Sequence, residues 1–183
     1  MPEKADQTIC EPARDDAQLL DYLMRRFGSQ VVKLAYYHIR DKHLAEDIMQ
    51  EVFCRVYKNL SSFRKSSSYY TWIYRITLNL CKDIKKSAYY RRVFPWQWDM
   101  AEQLDDIRLF EQVEGGEVFS AVMDLPLKYR TTLALYYFED LPIAEIAVLL
   151  RITENTARQR LYRARNLLKE KLETSVMAEI DHE

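Results

Sequence analysis

Basic and aromatic side chains are interleaved over residues 64–86, a combination that suits single-stranded nucleic acid. Six cationic side chains can neutralise phosphates: Arg64, Lys65, Arg75, Lys82, Lys85 and Lys86. Stacking on an unpaired base is worth about 1–3 kcal/mol, and four rings could provide it: Tyr69, Tyr70, Trp72 and Tyr74. Trp72, Ile76 and Leu80 form an apolar stripe at helical spacing, which favours a core position for Trp72. Tyr69 and Tyr70 are the better stacking candidates, with core packing open for both.

A second basic segment has the form of a helix-turn-helix. A short apolar helix starts at Pro142, and after a three-residue connection a long basic helix spans 153–172, with Thr153 as a candidate N-cap. Four side chains share one face near the start of that helix: Arg158, Gln159, Tyr162 and Arg163. In the major groove, arginine can bond guanine and glutamine can bond adenine. Arg165 points elsewhere, which favours a phosphate contact or solvent.

A third group of candidate functional residues consists of polar side chains on one predicted helix. Asp47, Gln50 and Glu51 share one face of a predicted helix, beside an apolar stripe that includes Ile48 and Val52. The spacing alone favours a solvated helix face. The alternative is a docking face whose carboxylates and amide pair with arginines of a partner.

The elements that must position these residues are helical. With 3 Gly and 5 Pro in 183 residues, the chain lacks the turns of a sandwich or barrel. Apolar spacing predicts a first domain of four helices over 16–28, 29–40, 43–60 and 69–87, with Gly28 ending the first and a serine-rich loop over 61–68. The second domain has helices over 117–124, 126–138, 142–150 and 153–172. We therefore predict an all-α chain.

The net charge of -1 hides a strong division along the chain. Residues 25–92 carry 15 basic and 5 acidic groups, and residues 151–172 carry 7 and 2. Between them, residues 93–118 carry 1 basic and 7 acidic groups. Two basic blocks separated by an acidic segment indicate two polyanion-binding modules joined by a linker.

Several other classes are excluded by the sequence. No uncharged apolar run reaches the roughly 20 residues of a membrane span, and no secretory signal is visible. The three cysteines, Cys10, Cys54 and Cys81, lack CxxC spacing, which excludes a zinc ribbon or disulfide scaffold and favours the cytoplasm. His38 and His43 straddle a predicted turn without a third histidine nearby, so no metal site is expected. The sequence also has no phosphate-binding glycine loop and no nucleophile elbow. We therefore expect that the protein is not an enzyme and that it uses no cofactor or small-molecule substrate.

Specific motifs in both halves resemble one family. The segments LAEDIMQEVFCRVYKNLSSFR (44–64) and YYTWIYRITLNLCKDIKK (69–86) are similar to sigma region 2, and the segment 124–172 is similar to region 4. In this order the chain resembles extracytoplasmic-function (ECF) type sigma factors of bacterial RNA polymerase. The resemblance implies two small helical domains over 16–88 and 117–172, joined by a linker over 89–116. Tails over 1–15 and 173–183 match nothing.

The resemblance implies a promoter-specificity subunit that recruits core polymerase and helps melt the minus-10 DNA. Polymerase contacts to the clamp helices of the largest subunit would involve Asp47, Gln50, Glu51 and Phe53, although Phe53 could equally be core. Minus-10 contacts would come from Arg64, Lys65, Tyr69, Tyr70, Arg75, Asn79, Lys82 and Lys86. Minus-35 contacts would come from Arg158, Gln159, Tyr162, Arg163 and Arg165. The helices over 126–150 would bind the flap of the second-largest subunit.

Three further expectations accompany this interpretation. The family implies an anti-sigma factor, often membrane-anchored, that covers the polymerase-binding faces. The acidic linker, with Asp99, Glu102, Asp105 and Asp106, could shield the basic surfaces of the unbound chain. Arg151 stands where a helix-turn-helix usually has glycine, at a cost of about 1 kcal/mol if that position has positive φ. The alternative to a sigma factor is a stand-alone helix-turn-helix regulator that binds duplex DNA without polymerase.

Overall fold

A computed structural model describes residues 16–63, 68–87 and 116–180, with side chains up to residue 174. Within these ranges all regular secondary structure is helical, which confirms the all-α prediction. The helices are α1 (Asp16–Ile39), α2 (Lys42–Asn59), a 3-10 turn (Leu60–Ser62), α3 (Tyr69–Lys86), α4 (Gly116–Met123), α5 (Leu127–Tyr137), α6 (Ile143–Leu150) and α7 (Glu154–Ile180). The predictions for the N-terminal tail, for Arg64 and Lys65, and for the linker up to residue 115 lie outside the described residues.

The first module, α1–α3, has three α-helices instead of the predicted four. α1 runs through Gly28 without interruption. Leu23 and Val31 lie eight residues apart on one face of α1, and both are fully buried. Burial of each of these side chains stabilises the fold by about 1.5–3 kcal/mol. Glycine in a helix interior, by comparison, costs about 1 kcal/mol of stability relative to alanine. Burial on both sides of Gly28 therefore outweighs the tendency of glycine to end the helix.

Side-chain caps fix where α2 and α3 begin. The Asp41 carboxylate accepts a 2.8 Å hydrogen bond from the Leu44 amide, and the Ser68 hydroxyl accepts one of 3.1 Å from the Thr71 amide. These bonds satisfy amide groups that lack a partner inside the helix. The cap at Ser68 starts α3 at Tyr69 and so sets the faces on which its basic and aromatic residues lie.

The second module, α4–α7, contains the predicted helix-turn-helix. The Thr153 hydroxyl caps α7 by accepting a hydrogen bond from the Thr156 amide at 3.2 Å. Arg151, at the turn, has φ of 55° and ψ of 50°, so the left-handed conformation considered for this position is present. α7 extends to Ile180, eight residues past the predicted end at 172, so residues 173–180 are not a separate tail. That segment contains no Gly or Pro to stop the helix.

The two modules pack directly against each other. The Tyr37 ring of α1 lies 6.3 Å from the Phe119 ring of α4 and 5.5 Å from the Phe138 ring that follows α5. A second apolar cluster joins Leu34 of α1 and Tyr74 of α3 to residues of the second module: Leu135, Leu141, Ile146 and Ala147. This contact between the modules was not predicted from the sequence, which indicated two separate modules joined by a linker.

Polar contacts between described residues also cross from one module to the other. The His38 Nε2 atom lies 3.2 Å from the Thr131 hydroxyl. An Arg40 guanidinium nitrogen lies 3.5 Å from the Asp124 carboxylate. The Tyr74 hydroxyl donates a hydrogen bond to the Glu139 carboxylate. Residues far apart in the sequence are thereby fixed in register across the module boundary.

His38 lies at this boundary in the neutral form. Its side chain is 4% exposed. Burial, and then the positive charges of Lys85, Arg130 and Lys82, lower its pKa to about 3. In the unfolded chain the same group has a pKa near 6.5. Protonation therefore favours the unfolded chain, and the contribution of His38 to stability is lost as the pH falls from 6.5 towards 3.

We predict that His38→Gln weakens the acid sensitivity of folding. Between pH 6.5 and pH 5, the wild-type chain should lose up to about 2 kcal/mol of unfolding free energy through His38, since each pKa unit is worth about 1.36 kcal/mol. Denaturant unfolding across this range measures the effect. His43→Gln is the control, because His43 is exposed. Identical pH profiles for the His38→Gln variant and the wild type would contradict the assignment.

Candidate nucleic-acid and partner interfaces

One face of α3 presents an exposed polar strip. Positions 75, 79, 82 and 86 follow each other at spacings of three or four residues, so they share one helix face. Asn79, Lys82 and Lys86 are exposed, and Arg75 is half-buried. An amide flanked by cations can bond a base edge while the cations contact phosphates. The structure thus brings together four of the residues predicted to contact minus-10 DNA.

Tyr69 lies elsewhere, in an aromatic group at the start of α3. Its ring stacks on Phe63 at 4.5 Å, and the Trp72 ring lies 4.7 Å from Phe63. Trp72 packs against the core of the first module, as the apolar stripe predicted. Phe63 was not predicted to belong to this group, because its only sequence signal is an aromatic residue inside the serine-rich loop. Tyr69 is half-buried, so part of its ring remains accessible.

Tyr70 and Tyr74 lie on the face of α3 that turns towards the second module. Their ring centroids are 4.0 Å apart. Tyr74 is fully buried, so the suggestion that it stacks on a base is wrong for this conformation. Tyr70 is half-buried against the cluster that the two modules share. Burial raises the pKa of both phenols, so both are neutral hydrogen-bonding groups.

The polar stripe on α2 is accessible. Asp47, Gln50 and Glu51 are all exposed. The Arg55 Nε atom donates a 2.7 Å hydrogen bond to Glu51, and this bond lowers the pKa of the Glu51 carboxyl. The stripe therefore presents carboxylates and an amide to solvent, as a docking face for arginine would require.

Phe53 does not belong to that docking face. Its ring is 2% exposed and lies in the apolar core with Val52 and Val56. Phe53 is four residues after Met49, which packs on the same core, so the helix turns its ring inward. Sequence spacing left core and surface equally open for this residue. The structure corrects its assignment as a polymerase contact.

The start of α7 exposes the predicted base-reading face. Arg158, Gln159, Tyr162 and Arg163 are exposed, with Tyr162 at 66%. The opposite face of α7 is buried through Ala157, Leu161 and Ala164. Arg158 forms an ion pair with Glu154 one turn earlier, at 2.9 Å, which holds its side chain along the helix.

Arg165 is held apart from this face by aromatic residues of α5. Its Nε atom donates a 2.9 Å hydrogen bond to the Tyr137 hydroxyl. The guanidinium carbon lies 5.5 Å from the ring centroids of both Tyr136 and Tyr137. A guanidinium fixed in this way suits a backbone phosphate better than a base edge. The Tyr136–Tyr137 pair carried no sequence signal for this role.

The described residues contain no cluster of three or more His, Cys, Asp or Glu side chains suited to a metal ion. His38 is buried between the modules, whereas His43 is exposed on α2. None of the described helices is both long and apolar enough to cross a bilayer.

Comparison with known families matches both modules. Residues 23–92 match the model "Sigma-70 region 2", and residues 116–168 match "Sigma-70, region 4". The first range contains the α2 stripe and all of α3. The second contains the complete helix-turn-helix.

Curated relatives match over nearly the whole chain. The RNA polymerase sigma-H factor of Pseudomonas aeruginosa is 29% identical, and the match covers 94% of this chain and 96% of that protein. The ECF RNA polymerase sigma factor SigW of Bacillus subtilis is also 29% identical, over 80% of this chain and 84% of that protein. The ECF RNA polymerase sigma-E factor of Escherichia coli is 27% identical, over 92% and 94%.

Solved structures share the fold. CnrH, in complex with the cytosolic domain of CnrY, matches with a TM-score of 0.66 and 20% identity, over 86% of this chain and 90% of that one. The sigma factor RpoE of Bartonella quintana, in complex with the anti-sigma factor NepR, matches with a TM-score of 0.67 and 18% identity, over 85% and 98%.

We predict that Phe53→Ala destabilises the first module by about 3–5 kcal/mol, because it removes a buried ring and leaves a cavity. Gln50→Ala, one turn earlier on the exposed stripe, should change the unfolding free energy by no more than about 0.5 kcal/mol. Chemical denaturation of the two variants beside the wild type makes the comparison. Equal, small changes in the unfolding free energy of both variants would contradict the buried position of Phe53.

Proposed function

We propose that separate surfaces of this chain make the separate contacts of promoter recognition. The chain belongs to the ECF-type RNA polymerase sigma factors, with sigma-70 regions 2 and 4. The chain directs promoter recognition and is a non-catalytic subunit. In our proposal, α7 reads the minus-35 element, α3 engages the melted minus-10 element and α2 docks on the polymerase. The observation that carries this division is the presence of two exposed basic faces, one on each module.

At the minus-35 element, the start of α7 enters the major groove. Arg158 and Arg163 can bond guanine O6 and N7, and Gln159 can bond adenine N6 and N7. Tyr162, with most of its surface exposed, can contact a base edge or a thymine methyl group. Arg165, held by Tyr137, contacts a phosphate and fixes the position of the helix on the duplex.

At the minus-10 element, the exposed strip of α3 holds the non-template strand. Lys82 and Lys86, together with the half-buried Arg75, neutralise phosphates, and Asn79 bonds a base edge. Tyr69 offers the accessible part of its ring for stacking. Arg64 and Lys65, outside the described residues, extend this basic surface in our proposal.

Contacts with proteins use other surfaces. Asp47, Gln50 and Glu51 pair with arginines on the clamp helices of the polymerase's largest subunit, without Phe53, and the helices over 126–150 bind the flap of the second-largest subunit. An anti-sigma factor that covers such faces is a further expected partner. It is supported by the fold shared with RpoE, which was solved in complex with the anti-sigma factor NepR.

Run-off transcription from a randomised promoter library tests the proposal, using core bacterial polymerase with and without the chain. We predict chain-dependent initiation at a shared two-block promoter. Arg158→Ala and Gln159→Ala should each reduce base preference in the upstream block by 5- to 150-fold, the equivalent of about 1–3 kcal/mol. Lys169→Ala, exposed further along α7, is the control and should leave the preference unchanged.

Two results would contradict the proposal. Unchanged upstream preference in the Arg158→Ala and Gln159→Ala variants would remove α7 from minus-35 recognition. No stimulation of polymerase, combined with tight binding of the chain alone to a duplex palindrome, would indicate the stand-alone regulator instead.

A further inference from the structure

The last turn of α5 holds Arg165 of α7 through two aromatic rings. Tyr136 packs on the apolar cluster that contains Leu135 and Ala157. The Tyr137 ring lies edge-on to the Tyr136 ring, with centroids 5.0 Å apart. Both centroids lie 5.5 Å from the guanidinium carbon of Arg165, whose Nε atom donates its 2.9 Å hydrogen bond to the Tyr137 hydroxyl. The position of this guanidinium is therefore fixed from the core outwards.

The positive charge of Arg165 stays available to an anion. Its hydrogen-bond partner is the uncharged hydroxyl of Tyr137. Arg158, by contrast, forms an ion pair with Glu154 at 2.9 Å. Among the described residues, no carboxylate forms an ion pair with Arg165. Because the Nε atom is already bonded, the terminal nitrogens of the guanidinium present their N–H groups, and this fork matches the oxygens of a phosphate.

The Tyr137 hydroxyl also has a proton of its own to donate. A hydroxyl can accept one hydrogen bond and donate another at the same time. The bond that it accepts from the cationic Arg165 polarises its O–H group, which makes the hydroxyl a stronger donor. Tyr137 is 50% exposed, so a ligand can approach it from solvent. A hydroxyl and a guanidinium from two different helices thus lie side by side, as donors to one anion.

Arg165 lies at the height expected for the DNA backbone. It is seven residues after Arg158, which is about 10 Å along the axis of α7 at roughly 1.5 Å per residue. The major groove is about 8.5 Å deep. Because α7 enters the groove by its first turns in our proposal, a side chain two turns later lies at the rim of the groove. The sugar–phosphate backbone forms that rim.

We propose that Tyr137 contacts promoter DNA directly, by donating its hydroxyl proton to the backbone phosphate that Arg165 binds. α5 and α7 then form one shared phosphate site, and its ligand is a phosphodiester of the duplex at the edge of the minus-35 element. This inference rests on the proposed role of α7 at that element. A phosphate contact carries no sequence information, so the shared site positions α7 while Arg158 and Gln159 read bases.

Promoter binding by the holoenzyme tests the shared site. The probe is a fluorescein-labelled duplex that carries the strongest promoter recovered from the randomised library, with anisotropy measured at matched salt. Tyr137→Phe removes only the hydroxyl and keeps the ring against Arg165. This variant should bind about 10-fold more weakly than the wild type, the fold-change expected for losing one hydrogen bond to a charged group. The loss should be the same for every upstream sequence, because phosphates are common to all of them.

Salt dependence separates the contributions of the two side chains. Arg165→Ala removes a charge, so the slope of log affinity against log salt should become shallower by about 0.9. Tyr137→Phe keeps every charge and should leave that slope unchanged. Tyr22→Phe, at an exposed tyrosine of α1, is the matched control and should change neither the affinity nor the slope. An equal loss of affinity in Tyr22→Phe would contradict a specific role for Tyr137.

Neutral methylphosphonate groups, placed one at a time in the upstream block of the probe, identify the phosphate. At one position the substitution should weaken binding of the wild type by about 10-fold. It should weaken binding of Tyr137→Phe and Arg165→Ala by a smaller factor, because each variant has already lost a contact there. Full sensitivity of both variants at every position would overturn the shared site. Unchanged affinity of Tyr137→Phe would also overturn it, and a lower denaturation midpoint would then show that the bond only ties α5 to α7.

Arg158→Ala distinguishes failure of this inference from failure of the proposed function. If Arg158→Ala loses upstream base preference while Tyr137→Phe binds as tightly as the wild type, only the shared phosphate site fails. If neither variant differs from the wild type, α7 does not read the minus-35 element, and the shared site fails with that assignment.

Discussion

The second half of α1 is the constraint on which the rest of the structure depends. Leu34 and Tyr37 are fully buried, and they contact helices of both modules. α1 is one of the three helices that form the core of the first module. In the second module, Phe119 and Phe138 pack against Tyr37 of the same helix. Because α1 belongs to the cores of both modules, the positions of α3 and of the helix-turn-helix are fixed relative to each other.

Much of the fold follows from local sequence signals. The apolar spacing of α2 and α3 and the cap at Thr153 are local features, and the structure places these elements close to their predicted bounds. Gly28 misled the prediction because local propensity is weaker than burial on both sides of it. Phe53 could not be assigned because its spacing fits both a core and a surface position.

The positions of the candidate site residues could be predicted only in part from the sequence. The shared exposed face of Gln159 and its neighbours followed from helical periodicity, whereas Asn79 was predicted from the resemblance to sigma region 2. The contacts of Tyr74 with Glu139 and of Arg165 with Tyr137 did not, because these partners lie 65 and 28 residues away in the sequence. Contacts between modules depend on tertiary packing, which no local pattern encodes.

The distance between the modules, in the unbound chain and in the promoter-bound holoenzyme, tests the central claim most directly. Dyes on Tyr22→Cys and Lys169→Cys, in a chain whose own cysteines are replaced, lie on exposed positions of α1 and α7. Single-molecule energy transfer should show one compact state in the unbound chain and a separation larger by tens of ångströms in the holoenzyme, because promoter elements about 25 base pairs apart span about 85 Å of B-form DNA at roughly 3.4 Å per base pair. Equal transfer in both states, or an extended unbound chain, would contradict the account.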